Sequence, residues 1–480
     1  MTRHPALLTL CLALTACGSS DGGTPDGGAN DAGTDATPLK TLGQSCGGDS
    51  ECDSGNCVDG VCCDQPKTSC GTCMRCDLAA SKGTCTAVVK GDAPREASEC
   101  AGDAECGANT CNGTGGCDYK PLDTVCSETC SGGTFIKKGC GQTHRCDKQL
   151  QSDKCEPYVC NSAQTACLTA CTLGQHCING SACDLSQLHL KGPGQGTCVD
   201  PSKVETVGTG TAIAAAIANA KGNNKDYVLI PAGAYTENLT IDGQAITLIG
   251  DGNPTIKSAA SKKPVIAVTS SSTVTVQGLT LTDATGTDGD GIGCGGASTL
   301  TVLDSTIKDN AESGIQADNC DVTVRRSRIE ANNKGGLKLD TGFFNVVNTL
   351  VVRNVGAPAV AFLGTAANSI FAHNTIADNT SSGGVANGIV CDGNENFFGV
   401  LLFNNKNTGA TSKEVSDNCN NATCSYLVAD PSFVGSTYVP AVGSVAVDKC
   451  DANLAKSATD LGGLARVNNG KLDYGAYEVH

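Results

Sequence analysis

The feature that most constrains this chain is a short unit that returns about every two dozen residues. STIKDN (305–310), SRIEAN (327–332), TLVVRN (349–354), NTIADN (374–379) and VLLFNN (400–405) each place an asparagine three residues after a central β-branched or apolar residue. The central residues, with the equivalent Leu281 ahead of them, are Leu281, Ile307, Ile329, Val351, Ile376 and Leu402, at intervals of 26, 22, 22, 25 and 26. A second series keeps step: GIGC (291–294), GIQA (314–317), GLKL (336–339), AVAF (359–362) and GIVC (388–391). A third is VTV at 274–276 and 322–324, with LTV at 300–302. Each unit thus holds three short alternating strands between polar corners. Strands of this length are not stable as isolated hairpins. They become stable when each unit is one coil of a stack and every strand pairs in parallel with its equivalents above and below. The expected fold class is therefore all-β, a parallel β-helix over residues 204–435 with 22–26 residues per rung.

The stack makes residue-level expectations. Ile292, Ile315, Leu337, Val360 and Ile389 form one inward column, and Cys294, Ala317, Leu339, Phe362 and Cys391 its neighbour. Asn310, Asn332, Asn354, Asn379 and Asn405 come to lie about 4.8 Å apart and can form a hydrogen-bonded amide ladder, at corners whose left-handed backbone asparagine tolerates. Arg326, 22 residues after Asp304, stacks on it as an exposed ion pair worth ~0–1 kcal/mol. Cys320 falls about one rung beyond Cys294, which favours that pair, while Cys391, Cys419, Cys424 and Cys450 are left open.

Residues 209–241, TGTAIAAAIANAKGNNKDYVLIPAGAYTENLTI, resemble the opening of pectate-lyase-like right-handed β-helices, in which a short Ala-rich helix caps the open end. Ile213 and Ile217 share one face of that helix and Gly222 suits its C-cap. The segments 429–450 and 460–480 resemble the "choice-of-anchor Q" region of bacterial surface β-helix proteins, assigned here to 436–480. The matching residues include Asp460, Gly463, Arg466, Asp473, Gly475, Ala476, Tyr477 and Glu478. That resemblance implies surface display and carries no catalytic signature.

Cysteine sets the compartment. The chain has 32, of which 24 lie between Cys46 and Cys198, where apolar periodicity is nearly absent. Cross-links must replace a conventional core there, and such a thiol load belongs in an oxidising compartment. Zinc is the competing reading for the CxxCxxC at Cys70, Cys73 and Cys76, but needs a tetrahedral ligand set. Spacing in 46–63 and 171–183 resembles EGF-like or Dickkopf-like modules, which implies a spacer or protein-binding unit over residues 46–200.

The N-terminus reads MTRHPALLTLCLALTACG. Its apolar run has signal-peptide length and is too short to span a membrane. LTAC (14–17) resembles the lipobox of bacterial lipoproteins, which implies cleavage after Ala16, lipidation of Cys17 and, with Gly18 following, export to an outer membrane. Residues 1–17 are thus a signal peptide, and residues 18–45, almost without apolar side chains, a tether.

Chemistry is harder to find. The net charge of −16 argues against nucleic acid. Many β-helices of the resembled superfamily cleave acidic polysaccharides, and only two clusters are comparable. Asp288 and Asp290 are candidate calcium ligands, against a solvated Gly-Asp corner. Arg325 and Arg328 are candidate catalytic or uronate-binding residues, against ion pairing and solvation. No complete lyase or hydrolase motif is present, and His373 reads as structural. With 17 Phe and Tyr and no Trp, aromatic sugar platforms are scarce. The chain reads as an exported, lipid-anchored surface protein with a noncatalytic β-helix that binds a carbohydrate or surface protein and needs no cofactor. The alternative is a calcium-dependent polysaccharide lyase or glycoside hydrolase.

Overall fold

The computed structural model describes residues 38–480 except 173, 187–195, 383–385, 394, 409–412 and 420–421. The signal segment, Cys17 and the tether up to residue 37 lie outside the described residues. Among those described, no helix is long and apolar enough to cross a membrane. The chain forms two compact units, one ending at Lys120 and the other beginning at Pro121.

The first unit has cystines where other domains have a core. Cys46–Cys57, Cys52–Cys62, Cys63–Cys76, Cys70–Cys85, Cys73–Cys111 and Cys100–Cys117 are bridged. Cys70, Cys73 and Cys76 each go to a different partner, so the CxxCxxC run has no thiol left for zinc. The second unit starts with an antiparallel sheet of Val125–Ser131, Thr134–Gly139 and Lys148–Lys154, stapled by Cys126–Cys146, Cys130–Cys160 and Cys155–Cys167. Two more bridges, Cys171–Cys183 and Cys177–Cys198, lead into the solenoid.

The solenoid has three parallel sheets. Sheet A runs through nine strands from Val204–Thr206 to Glu395–Phe398, sheet B through nine from Ala234–Thr236 to Tyr426–Val428, and sheet C through seven from Leu239–Asp242 to Ile389–Val390. The register places Leu281, Ile307, Ile329, Val351, Ile376 and Leu402 directly over one another in sheet B. Ile292, Ile315, Leu337, Val360 and Ile389 do the same in sheet C. All are buried in one continuous core. Phe344, Phe362, Phe371 and Phe397 stack inside the last rungs, so these rings fill the core and offer no surface platform.

Each rung leaves sheet B at an asparagine. Asn310 Nδ2 donates to Asn332 Oδ1 at 2.9 Å, Asn332 to Asn354 at 2.9 Å, Asn354 to Asn379 at 3.0 Å and Asn379 to Asn405 at 2.7 Å. Each acceptor oxygen also takes the backbone N–H of the asparagine below it. The ladder ends on Glu414, whose carboxylate accepts both Asn405 N and Asn405 Nδ2. The left-handed backbone falls on the residue before each asparagine: Asp309, Ala331, Arg353, Asp378 and Asn404. The side chains are therefore kept for their amides rather than for tolerance of the turn.

The helix Ile213–Gly222 covers the first rung with Ile213 and Ile217 buried. Gly222 is its last residue and Asn223 its C-cap. No capping side chain comes from the helix's own N-cap, Ala212. Glu237, from the rung below, accepts Ile213 N at 2.8 Å and Ala214 N at 3.0 Å instead. A carboxylate at this position satisfies orphan amides and meets the positive end of the dipole. Glu237→Ala is expected to lower stability by about 1 kcal/mol, read as a fall in the thermal midpoint.

Both flanking segments of the second unit fold back onto the solenoid. Gln277, facing outward from sheet A, accepts Leu185 N and donates to Cys183 O, each at 2.8 Å. At the other end the C-terminal segment packs against the outside of sheet B through Leu350, Val352, Leu401 and their neighbours. The rungs are further stapled by Cys294–Cys320, Cys391–Cys419 and Cys424–Cys450.

Candidate functional site

Each rung turns from sheet A to sheet B through one left-handed residue: Gly278, Asp304, Arg326, Asn348, His373 and Gly399 in successive rungs. These residues form a stripe along the solenoid. Its two ends are covered. Gly174, Gln175, Cys183 and Leu185 of the cysteine-rich segment share a groove with the corners at Gly250–Asn253 and Gly278, and the C-terminal segment lies over Asn348, His373 and Gly399. Asp304 and Arg326 lie between, at the edge of a groove of about 420 Å³.

Arg326 Nε donates to Asp304 Oδ1 at 2.8 Å. The pair is not exposed as its corner position suggested. The side chains retain only 17% and 20% of their accessible surface, and the tail comes close to Arg326 at Gly463. Burial pushes the Asp304 carboxyl up, against the pull of Arg326. Asp304 Oδ2 is enclosed and has no hydrogen-bond partner.

The other sequence candidates do not converge here. Arg325 faces outward from sheet A between Leu303 and Val347, both 1% exposed. Burial pulls its pKa down, and its guanidinium has no ion pair or hydrogen bond among the described residues. Arg328 belongs to sheet B, where Nε bonds Glu330 at 2.6 Å and the guanidinium lies 5.6 Å from the Tyr438 ring. Arg353 bonds the same Glu330 oxygen. Asp288 and Asp290 sit on the corner between sheets B and C. Asp290 is buried, and its Oδ1 accepts Ser313 N at 2.8 Å, tying one rung to the next. Burial, with the Glu312 and Asp288 charges, pushes Asp290 up to about 6. Asp288 is exposed. Two carboxylates two residues apart thus face different surroundings.

The tail residues that match the anchor-region pattern make a buried polar knot. Arg466, fully buried, donates to Asn348 Oδ1 and Ala476 O at 2.7 Å, to Gly475 O at 3.1 Å and to Glu478 Oε2 at 3.4 Å. Asp460 Oδ2 accepts Glu478 N, and Asp473 accepts Asp448 N and Val479 N. Gly475 bonds Gly399 O, and with φ +100° it passes so close to Thr375 Oγ1 that a Cβ would lie 2.6 Å from it. His373 is held neutral by burial and accepts Lys456 N. These residues hold the tail to the solenoid; none of them faces the groove.

Burial, with Asp473 beside it, pushes Glu478 up to about 8. The folded chain therefore keeps a proton that the unfolded chain releases above the ordinary glutamate range. The resulting stability is complete at acidic pH and is lost as pH rises through about 8. Glu478→Gln is expected to flatten the fall in thermal midpoint between pH 6 and pH 9, measured by circular dichroism.

Comparison with known proteins agrees with the strand order. Residues 231–376 match the family described as "Right handed beta helix region". The solenoid is a right-handed parallel β-helix. Among solved structures the chain is similar to an alginate lyase from Paenibacillus sp. str. FPU-7, at 14% identity and TM-score 0.27, over 45% of this chain and 99% of that one. It is similar also to ORF18 of Geobacillus virus E2, at 14% identity and TM-score 0.27, over 50% of this chain and 65% of that one. At such scores neither likeness bears on activity. No curated protein matches the sequence.

In the β-helix, then, sequence spacing pointed to the basic and acidic clusters, but the groove escaped it. The one signal was the 22-residue offset of Asp304 and Arg326, which says that they stack and not that Gln175, Cys183 and Leu185 line the same groove.

Proposed function

We propose that this chain is an exported surface protein, anchored to the outer membrane through a lipidated Cys17, whose β-helix binds a glycan or protein ligand without cleaving it. Many disulfides in both units support export. The observation that carries the noncatalytic reading is the commitment of the reactive groups. Arg326 is spent on Asp304, Arg328 on Glu330 and Asp290 on a backbone amide, and they lie on different corners and sheets. An acid–base pair must reach one substrate atom from two sides, and these groups share no such point.

The second reading, an enzyme acting on acidic polysaccharide, keeps one support: Arg325 is a desolvated guanidinium with no partner among the described residues, suited to a carboxylate. A glycan-array screen with the disulfide-intact chain tests the binding reading. Saturable binding to a defined glycan set is expected. No binding to any glycan, together with no protein captured from the producing cell's surface, would overturn it.

A further inference from the structure

We propose that His373 is a proton-operated latch for the end of the chain: an imidazole that takes up a proton releases residues 451–480 from the corner between sheets A and B and uncovers the apolar strip of sheet B beneath them.

The covalent frame leaves this segment free to lift. The last disulfide joins Cys424 to Cys450, and no cysteine follows it. Residues 451–480 are therefore held by packing and polar contacts alone. Leu461, Leu472 and Ala476 of the segment pack with Leu350, Val352 and Leu401 of sheet B, which are each 0% exposed.

The geometry at His373 suits a neutral ring and has no place for a charged one. The side chain is 0% exposed. Its Nε2 accepts the Lys456 N–H at 3.3 Å, and its Nδ1 is enclosed without a partner. An imidazolium carries an N–H on both nitrogens. At Nε2 that hydrogen would oppose the Lys456 N–H, and at Nδ1 it would find no acceptor. Burial opposes the charge most strongly, and the Arg466 guanidinium and the Lys456 ammonium add to it; the Leu454 carbonyl is the one facing group that favours it. Among the described residues no carboxylate balances the ring. Asp460, Asp473 and Glu478 act on Arg466 instead. The neighbouring rungs give no acceptor either: Asn348 spends its amide on Arg466, Ser457 and Thr459, and Gly399 has no side chain.

The direction of the pH effect follows. A docked ring stays neutral, whereas a released one is protonated below about pH 6.5, so docking is favoured above that pH and weakens as pH falls below it. Glu478 runs the other way, because its docked carboxyl keeps a proton up to about 8. Between the ordinary ranges of glutamate and histidine the two offset, since the docked and the released tail then bind one proton each. Replacing Glu478 by glutamine removes the offset and leaves the latch on its own.

Hydrogen exchange followed by mass spectrometry on the full disulfide-bonded chain, from about pH 7 to about pH 5 and corrected for intrinsic rates, tests this. In Glu478→Gln, protection of peptides within 454–480 is expected to fall about tenfold per pH unit below about pH 6.5, while the sheet B strand Thr306–Lys308 keeps its protection. Adding His373→Gln, whose amide oxygen can still accept the Lys456 N–H, is expected to abolish the fall. Asp473, whose carboxyl burial pushes up, is the same in both variants and cancels in the comparison. A fall that persists with His373→Gln, no fall in Glu478→Gln, or a loss of protection that spreads through the solenoid at the same pH would overturn the latch. Should a variant fail to fold, the His373 ring resonances of the unsubstituted chain decide: no titration is expected while the tail stays protected, and a ring that protonates near its ordinary pH with the tail still docked would overturn the proposal.

Discussion

Replacing Asn354 by alanine is expected to destabilise the solenoid by about 4 kcal/mol. The size follows from what is left behind. Asn354 Oδ1 accepts two buried donors, Asn332 N at 3.0 Å and Asn332 Nδ2 at 2.9 Å. Both lose their acceptor, and the corner has no solvent to replace it, since Asn332 and Asn354 are each 0% exposed. Orphaning a buried donor costs about 1–3 kcal/mol. Asn354 Nδ2 also stops bonding Ile329 O and Asn379 Oδ1. Aspartate is expected to do no better, because an oxygen then faces Asn379 Oδ1. The free energy from guanidinium unfolding with disulfides intact measures this; a change below about 1 kcal/mol would mean that the ladder contributes little.

The second large effect lies in the tail. Arg466→Met keeps much of the side-chain volume and removes the guanidinium that lies among Asp460, Asp473 and Glu478. Burial lowers the Arg466 pKa and raises those of Asp473 and Glu478, so these three groups are held against a desolvation penalty. Taking away one partner of a buried pair typically costs about 3–5 kcal/mol. Asn348 Oδ1 and the carbonyls of Gly475 and Ala476 lose their donor as well. The expected result is a lower thermal midpoint together with faster proteolysis within residues 455–480. Glu478→Gln, which keeps a neutral group in place, is expected to be far milder at neutral pH.

How far the fold could be read in advance depended on whether the partner letters recur. Ile307, Ile329 and Val351 occupy the same place in successive rungs, so the 22-residue interval is itself the contact map. The inward columns of sheet C follow for the same reason. The tail does not repeat. Its motif residues could be named from a pattern, but Arg466 bonds Asn348, 118 positions away, and no interval encodes that. The groove failed in the same way: Asp304 and Arg326 are one rung apart, but the residues that share the groove with them, such as Gln175 and Leu185, lie more than a hundred positions upstream. At the corner of Asp288 and Asp290, spacing alone does not say which way each carboxylate faces. The backbone turns Asp288 to solvent and Asp290 inward onto Ser313 N. Glu414 could not be foreseen as the end of the amide ladder, since it breaks the asparagine pattern that defines it.

Whether these groups are held for binding or for chemistry is decided most directly by incubating the folded chain with alginate and polygalacturonate, with and without calcium, and following the ultraviolet absorbance of unsaturated uronate ends. With Arg326 and Arg328 committed to carboxylates and Asp290 to a backbone amide, the signal should stay at that of a buffer control. A steady rise that disappears on Arg325→Gln or Arg328→Gln would contradict the account.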